Sequence, residues 1–298
     1  MLYFYENINL FYKKQKYLMK EDINKLIDLY LNEDMKDGDH TSNACITENT
    51  YGKAELIVKE SGILAGVEIA ELIFKKLDPS IKLKKNINDG SKIKHGDIAF
   101  TVNGPSKSIL SAERLVLNCM QRMSGIATKT YNIKKLIKKT KTKILDTRKT
   151  TPGFRFFEKL AVKIGGGFNH RYGLYDMMMI KDNHVDFSGG IKKAIKNANE
   201  YQINNNLNLK IIIEARNLNE VNEIINTSKV DRILLDNFSV EETKKAVEII
   251  NEKFEIESSG NITEINIKKY AECGVDFISL GALTHSANIL DLSLKAKN

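Results

Sequence analysis

The segment "KILDTRKTTPGF", residues 143–154, changes from an apolar strand pattern to a cluster of charged side chains. Ile144 and Leu145 are typical of a buried strand, and Asp146, Arg148 and Lys149 follow directly. A buried strand that ends in charge either enters a solvated loop or borders a binding site. The segments that follow decide between these two interpretations.

From Lys143 onward, short apolar strands alternate with amphipathic helices, which predicts repeated βα units and a parallel sheet. The segments that read as strands are "KILDT", "DMMMIKD", "KIIIEA", "RILLDN", "FEIESS" and "DFISLG". The expected helix starts are Asn217 with Glu220, Ser239 with Glu242, and Asn261 with Glu264, since each pair has the spacing of a capping box. The fold class predicted for this half is an open, incomplete α/β barrel.

The preceding half reads as a mixed α/β domain. "KEDINKLIDLYLNED" has the apolar spacing of an amphipathic helix, and "GKAELIVKESGILAG" and "GDIAFTVNG" read as strands with the helix "VEIAELIFKKL" between them. Ser111 is the expected N-cap of the next helix. We therefore expect an N-terminal extension over 1–18, an α/β domain over 19–125, and a barrel domain over 126–298 whose tail packs back on the first domain.

The carboxyl ends of the predicted strands carry the most informative pattern. Apolar strand bodies give way to polar or small residues, which are Asp146, Arg148, Lys149, Lys181, Glu214, Asp236, Ser258, Ser259, Gly260 and Gly281. Exposure to solvent explains any one of these ends about as well as a function does. In a barrel, however, all the ends open onto one face, and barrel enzymes place their chemistry there. Cations, carboxylates and small residues in succession favour a site.

Two loop types within this half add detail. The last two strands end in "ESSGN" and "LGALTHS", whose small residues and backbone N–H groups suit a phosphate. Between the first two strands, "KIGGGFNHRYGL" combines three glycines with His170 and Arg171, and the Arg side chain presents a fork that suits carboxylates. His184 and His285 have no partner at metal-ligand spacing.

The composition limits the class of protein. The net charge of +8 comes from Lys scattered along 298 residues rather than from one basic arm, which argues against a nucleic-acid partner and leaves small acidic substrates. The 3 cysteines are far apart, without zinc or thiol-redox spacing, as in a reduced cytoplasmic protein. No apolar run has the length that spans a membrane.

Together these motifs resemble the type II phosphoribosyltransferases, specifically the quinolinate phosphoribosyltransferase family. The matching segments run in the family's order from about residue 21 onward: "EDMKDGDHTS", "ESGILAG", "GPSKSILSAERLVLNCMQRMSGIAT", "DTRKTTPGFR", "EKLAVKIGGGFNHRYGLYDMMMIKDNH", "IEARNL", "LLDN", "SSGNI" and "SLGALTHS". Two positions depart from the family pattern, with Asn261 where a second glycine is usual and Ile212 where a further acidic residue is frequent.

The resemblance implies a transferase that joins phosphoribosyl pyrophosphate to quinolinate with decarboxylation, acting as a homodimer or larger homo-oligomer. It implies that Arg114 reaches the neighbouring subunit's site and that Arg148, Lys149, His170, Arg171 and Lys181 form a cationic substrate pocket. Glu214 and Asp236 resemble the carboxylates that hold the ribose hydroxyls and Mg²⁺, directly or through water, and Ser259, Gly260 and Gly281 fall in the loops that bind the 5′-phosphate. Lys149, Lys181, Glu214 and Asp236 are the expected catalytic residues.

Three other functions remain open at the level of sequence. A paralogue associated with molybdenum transport shares many of these motifs, and nicotinate phosphoribosyltransferase is a chemical rival that resembles the chain less. A non-catalytic, phosphate-binding barrel would explain the Gly/Ser loops alone. It would not need opposed cations and carboxylates in one mouth.

Overall fold

The computed structural model describes the backbone of residues 20–297, which form parts of two compact units. Among the described residues, the first unit combines 20–129 with 151–165 and 287–297, and the second combines 130–150 with 166–286. Segment 151–165 thus groups with the first unit, and so does the C-terminal segment 287–297. The predicted extension over 1–18 lies outside the described residues.

In residues 20–297 the helices are α1 (Lys20–Met35), α2 (His40–Cys45), α3 (Val67–Leu77), α4 (Ser106–Leu136), α5 (Arg155–Ile164), α6 (Asp182–Ser188), α7 (Ile191–Asn204), α8 (Leu218–Thr227), α9 (Val240–Ile250), α10 (Ile267–Glu272) and α11 (Ala282–His285). The strands are β1 (Tyr51–Val58), β2 (Gly62–Ile63), β3 (Lys82–Lys85), β4 (Lys92–Ile93), β5 (Ile98–Pro105), β6 (Lys143–Leu145), β7 (Met178–Ile180), β8 (Ile211–Ala215), β9 (Arg232–Asp236), β10 (Glu255–Ser259), β11 (Phe277–Ser279) and β12 (Leu292–Lys297). All of the predicted βα strands are present.

The first unit contains an antiparallel sheet in the order β12-β1-β5-β3 and a small pair, β2-β4. Strand β12 is paired with β1 from Lys53 with Lys297 to Val58 with Leu292. The core includes α3, whose buried residues Ile69, Ala70, Ile73 and Phe74 recur at helical spacing and make one apolar face. Phe74 meets the ring of Phe100 from β5 edge to face, with ring centroids 6.2 Å apart.

The expected helix start at Ser111 is wrong, because α4 begins five residues earlier, at Ser106. The backbone N–H of Ser106 donates to the carbonyl of Thr50 at 2.8 Å, so this end of the helix is satisfied by the chain beside it. Ser111 instead lies inside the helix, and its hydroxyl donates to Asp39 at 3.0 Å. Asp39 is itself the N-cap of α2.

The second unit contains a parallel sheet in the order β6-β11-β10-β9-β8-β7. Strands β7 to β11 each pair with a sequence neighbour, whereas β6 pairs with β11; β6 and β7 form the two edges, so the predicted open barrel is confirmed. An isolated bridge from Leu145 to Phe168 extends the β6 edge. All residues of β8 are buried, as expected for a parallel strand covered on both faces.

Two of the three predicted helix starts in this unit are confirmed. Asn217 accepts a hydrogen bond from the Glu220 N–H, and Ser239 and Glu242 form a complete capping box. The start at Asn261 is wrong, since α10 begins at Ile267 after Asn266. Asn261 has a φ of 52°, a left-handed conformation that an N-cap residue does not adopt.

Candidate active site

The carboxyl ends of the parallel strands surround a cleft of about 720 Å³ in the second unit. Every predicted site residue except Arg114 lines this cleft: Arg148, Lys149, His170, Arg171, Lys181, Glu214, Asp236, Ser259, Gly260 and Gly281. The sequence scatters these residues over more than 130 positions, and the parallel topology brings them together. The strand-end pattern therefore marks a shared cleft rather than separate solvated loops.

Arg148 and Lys149 leave β6 as exposed side chains at the mouth of the cleft. The loop that carries them is anchored from the last βα connection, because the Thr284 hydroxyl donates to the Lys149 carbonyl at 2.7 Å. The Lys149 side chain lies against Gly281, where an added Cβ would stand 2.9 Å from its Cδ. Gly281, after β11, thus leaves room for a lysine that follows the neighbouring strand β6.

Asp146 faces inward, although its position at a strand end suggested the mouth. It is fully buried, and it accepts hydrogen bonds from the His170 backbone N–H at 2.8 Å and the Asn169 amide at 2.5 Å. Its carboxylate therefore holds the loop that follows α5 and is not exposed to a ligand. Arg171 in the same loop is largely buried, and burial together with the nearby charge of Arg148 lowers its pKa.

The carboxylates lie on neighbouring strands. Glu214 ends β8 and forms an ion pair with Lys181, which follows β7, while Asp236 ends β9. Asp236 accepts a hydrogen bond from the amide of Asn237 at 3.0 Å. Both carboxylates and Lys181 are thus held within the same part of the cleft.

The loop after β10 has the conformation of a small-residue turn. Gly260 and Asn261 have φ values of 87° and 52°, so Asn261 adopts the left-handed conformation that the sequence allows for it. The Asn261 amide donates to Asn237 Oδ1 at 3.0 Å, and a Cβ on Gly260 would stand 2.1 Å from that same oxygen. Gly260 is required here by both its backbone conformation and the close approach of Asn237.

Asn237 and Glu257 line the cleft without having been predicted from the sequence. The sequence does carry a signal for Asn237, because an Asn or Gly directly after an apolar strand is typical of a left-handed turn, and Asn237 has a φ of 58°. The sequence signal for Glu257 is misleading. Glu255 and Glu257 alternate in "FEIESS", which suggests a strand face exposed to solvent, yet the Glu257 side chain is fully buried.

Glu257 is ionised inside this unit. Burial disfavours its charge, but interactions with His170, the positive charge of Arg232 and a hydrogen bond from Ser279 hold its pKa below the usual value. The Arg232 Nη1 atom lies 2.7 Å from Glu257 Oε2, and the guanidinium carbon lies 3.8 Å from the centroid of the Phe277 ring. Glu257, which lines the cleft, is therefore held in a buried ion pair.

Arg114 belongs to the first unit, where it lines a different cleft of about 500 Å³ with Tyr30, Asp34, Asn118 and Arg122. Arg114 is exposed, whereas Arg122 forms an ion pair with the fully buried Glu158 at 2.8 Å. Among the predicted site residues, Arg114 is therefore the one that the second unit's cleft does not contain.

Within residues 20–297 no three His, Cys, Asp or Glu side chains converge as a preformed metal site. Mg²⁺ is usually held by one or two carboxylates together with substrate oxygens and water. Glu214 and Asp236 are two carboxylates that line the cleft. No helix in the same span is long and apolar enough to cross a bilayer.

Comparison with known families gives a match over both halves. The model for the N-terminal domain of quinolinate phosphoribosyl transferase matches residues 39–124, and the model for its C-terminal domain matches 126–295.

Individual relatives agree with that match. Quinolinate phosphoribosyltransferase [decarboxylating] 1b from Nicotiana tabacum is 44% identical over 289 residues, covering 92% of this chain and 82% of the relative. A probable nicotinate-nucleotide pyrophosphorylase [carboxylating] from Bacillus subtilis is 38% identical, covering 91% and 92%. The solved nicotinate-nucleotide pyrophosphorylase from Francisella tularensis is 41% identical with a TM-score of 0.87, covering 94% and 98%.

Proposed function

Because the chain belongs to the quinolinate phosphoribosyltransferase family, we propose that the cleft of its second unit is the site of the family's reaction. The protein transfers the phosphoribosyl group of phosphoribosyl pyrophosphate to quinolinate and releases pyrophosphate and CO₂, giving nicotinate mononucleotide for de novo NAD biosynthesis. The observation that carries the assignment of the site is the convergence of cations, carboxylates and a small-residue loop in one cleft.

The cations hold the two substrates against each other. Quinolinate has two carboxylates and phosphoribosyl pyrophosphate is strongly anionic, so the pair repel unless the site supplies positive charge. Arg148, Lys149, Arg171 and Lys181 supply it from three successive loops. Their role is to bind, to orient the weakly nucleophilic ring nitrogen toward the anomeric carbon, and to balance the charge of the departing pyrophosphate.

The carboxylates act on the sugar. Displacement of pyrophosphate passes through an oxocarbenium-like state, as glycoside cleavage does, and positive charge then develops on the ribose. Glu214 and Asp236 are placed to stabilise that charge and to accept hydrogen bonds from the ribose hydroxyls. Lys181 is ion-paired with Glu214, so substrate binding exchanges this internal partner for substrate groups.

Mg²⁺ is proposed at Glu214 and Asp236, directly or through water, where it would neutralise pyrophosphate charge. The 5′-phosphate is proposed at the loops that contain Ser259, Gly260 and Gly281, which line the cleft and carry the small residues and backbone N–H groups that suit a phosphate.

Decarboxylation needs no protein nucleophile. Once the ring nitrogen is quaternary, its positive charge stabilises the electron pair that stays on the adjacent carbon when CO₂ departs, and that carbon then takes a proton from solvent. The side chains hold the carboxylate that stays and exclude water from the one that leaves.

The test supplies purified protein with phosphoribosyl pyrophosphate, Mg²⁺ and either quinolinate or nicotinate, and follows nicotinate mononucleotide and CO₂. We expect both products in equal amounts from quinolinate and no product from nicotinate. Product from nicotinate alone, or folded protein that binds the substrates without turnover, would overturn the proposal. Omitting Mg²⁺ and adding a chelator tests the metal separately.

We further propose that Arg114 completes the site of a neighbouring subunit in a homodimer. Support comes from its exposure and from its absence among the residues that line the second unit's cleft. In this arrangement Arg114→Ala and Lys181→Ala damage the same site from different subunits.

Mixing these two inactive variants under conditions of subunit exchange should restore about a quarter of the wild-type rate, because half of the dimers are mixed and each has one intact site. No recovery in a mixture shown to contain mixed dimers would place Arg114 in its own subunit's site or outside both.

A further inference from the structure

Inside the second unit, a row of contacting side chains leads away from the cleft. The His170 Nε2 atom lies 3.4 Å from Glu257 Oε2, with the two side chains 4% and 0% exposed. Arg232 contacts the same carboxylate oxygen at 2.7 Å and reaches Glu255 at 2.9 Å on its other side. The cleft is thus connected to the half-exposed Glu255 through two fully internal ionised groups.

The other nitrogen of the His170 ring fixes the position of the ring proton. The backbone N–H of Arg171 donates to His170 Nδ1 at 2.7 Å. A ring nitrogen that accepts a hydrogen bond carries no proton, so the proton lies on Nε2, the nitrogen that faces Glu257. A second proton on Nδ1 would point at the Arg171 N–H, and it would break this hydrogen bond in a buried place.

The carboxylates around the His170 ring have other partners. Glu257 accepts a hydrogen bond from Arg232 at 2.7 Å, and Arg232 is shared with Glu255. Asp146 accepts hydrogen bonds from the His170 backbone N–H and from the Asn169 side-chain amide.

We propose that Glu257, fixed by Arg232, is a positioning residue of the site that holds His170 as a neutral imidazole with its proton on Nε2. Both ring nitrogens then face protein groups, Nδ1 the Arg171 N–H and Nε2 the Glu257 carboxylate, and His170 places the backbone of Arg171 rather than adding a cation to the cleft. The cationic pocket consists of Arg148, Lys149, Arg171 and Lys181 in this subunit, and His170 orients Arg171 within it. The activity consequence rests on the proposed function, whereas the protonation state does not.

The first measurement is therefore independent of catalysis. In protein labelled with ¹⁵N-histidine, long-range ¹H–¹⁵N spectra at pH 7 distinguish the two neutral tautomers from the imidazolium, and loss of one signal set in His170→Gln assigns the residue. We expect a single Nε2–H tautomer for His170. A doubly protonated ring, an Nδ1–H ring or an average of tautomers would each overturn the proposal.

The second measurement removes the counter-ion. Arg232→Met keeps the bulk of the side chain but leaves the buried Glu257 carboxylate with His170 and Ser279 as its remaining partners, so the ring signals of His170 should change from those of the wild type. Arg216→Met is the matched control, because Arg216 is a half-exposed arginine paired with Glu220 and Asp186 in the same unit. Unchanged His170 ring signals in folded Arg232→Met, as in the control, would show that Arg232 and Glu257 do not hold the His170 ring.

Activity gives a third readout. In Glu257→Gln we expect KM for quinolinate to rise about tenfold with a smaller change in kcat, since the loss acts on the placement of Arg171. A fall in kcat with unchanged KM would contradict a positioning role. If the wild-type protein has no quinolinate activity, the proposed function fails, and the tautomer result still decides the inference about Glu257.

Discussion

The two ends of the six-stranded sheet both carry charged side chains but use them differently. At the amino ends the charges pair with one another: Lys141 lies 2.9 Å from Asp276, and Lys210 lies 3.4 Å from Glu255. At the carboxyl ends, within the part of the chain that the structure describes, the side chains of Arg148 and Lys149 form no ion pair. The comparison shows that a high density of charged residues does not by itself mark a binding site. Charged side chains that form no ion pair within the protein, and so can bind a ligand, are the better indicator.

The largest expected effect comes from a comparison in which one cation is removed at each end of the sheet. Arg148→Ala should lower kcat/KM for quinolinate by about a thousandfold, because a charge-assisted contact to a substrate carboxylate is lost. Steady-state kinetics measures this loss. The thermal midpoint should change little, since Arg148 is exposed.

Lys141→Ala is the matched control at the amino ends and should leave kcat/KM unchanged. Equal activity in the two variants would remove the functional difference between the ends and with it the assignment of the cleft.

A second pair of variants compares left-handed glycines. Gly260→Ala and Gly274→Ala, at φ values of 87° and 94°, should each cost about 1–2 kcal/mol of stability. Only the Gly260 variant also meets a neighbour, since its Cβ would lie 2.1 Å from Asn237 Oδ1, whereas that of Gly274 finds Val247 at 3.8 Å. We expect about a hundredfold loss of activity in Gly260→Ala alone, as displaced site groups bring losses of that order.

Denaturant unfolding and turnover, measured on both proteins, make this comparison. Loss of activity in Gly274→Ala as well would mean that backbone strain, rather than the loop near Asn237, controls catalysis.

Asparagine offers a third and smaller contrast. Asn237→Ala removes the hydrogen bonds to Asp236 and Asn261 and should lower kcat/KM about tenfold, equivalent to about 1.4 kcal/mol. Asn251, with a φ of 47° at the end of α9, lies at the opposite end of the sheet. Asn251→Ala should lower the free energy of unfolding by a similar amount, about 1.4 kcal/mol, and leave kcat/KM unchanged. A lower kcat/KM in Asn251→Ala would contradict the contrast.

The smallest expected effect concerns the paired charges themselves. A double-mutant cycle on Lys141 and Asp276 should give a coupling of about 0.2–1 kcal/mol that decreases with added salt, because exposed ion pairs are weak and screened. A coupling well above that range would show that the amino ends depend on their charges for stability.

The sequence predicts the second unit well because its signals are local. Apolar strands and Gly, Ser or Asn turns occur in a strict alternation, and right-handed βα connections leave few arrangements. Ser239 and Asn217 were found as caps for the same reason: a side chain bonds to a backbone group three positions away.

The failures involve contacts distant in sequence. Ser111 was mistaken for an N-cap because the carbonyl that satisfies the true helix start belongs to Thr50. Glu257 was missed because its partners, His170 and Arg232, are brought to it by the sheet. Asp146 was placed in the mouth, although the loop that turns it inward begins at Phe168. The family resemblance identifies the site residues, but the hydrogen bonds and ion pairs between them could be seen only in the structure.

The pairing of β12 with β1 has a consequence for biosynthesis. Residues 292–297 complete one edge of a sheet whose other strands are made within the first 105 residues. During translation that sheet exists without its edge strand while the whole parallel unit is synthesised, which at roughly 5–20 residues per second lasts on the order of ten seconds or more. An exposed sheet edge is a template for pairing with other chains, so the nascent protein is most prone to misassembly in that interval. Slow translation between these two strands should lengthen the exposure and raise demand for chaperones.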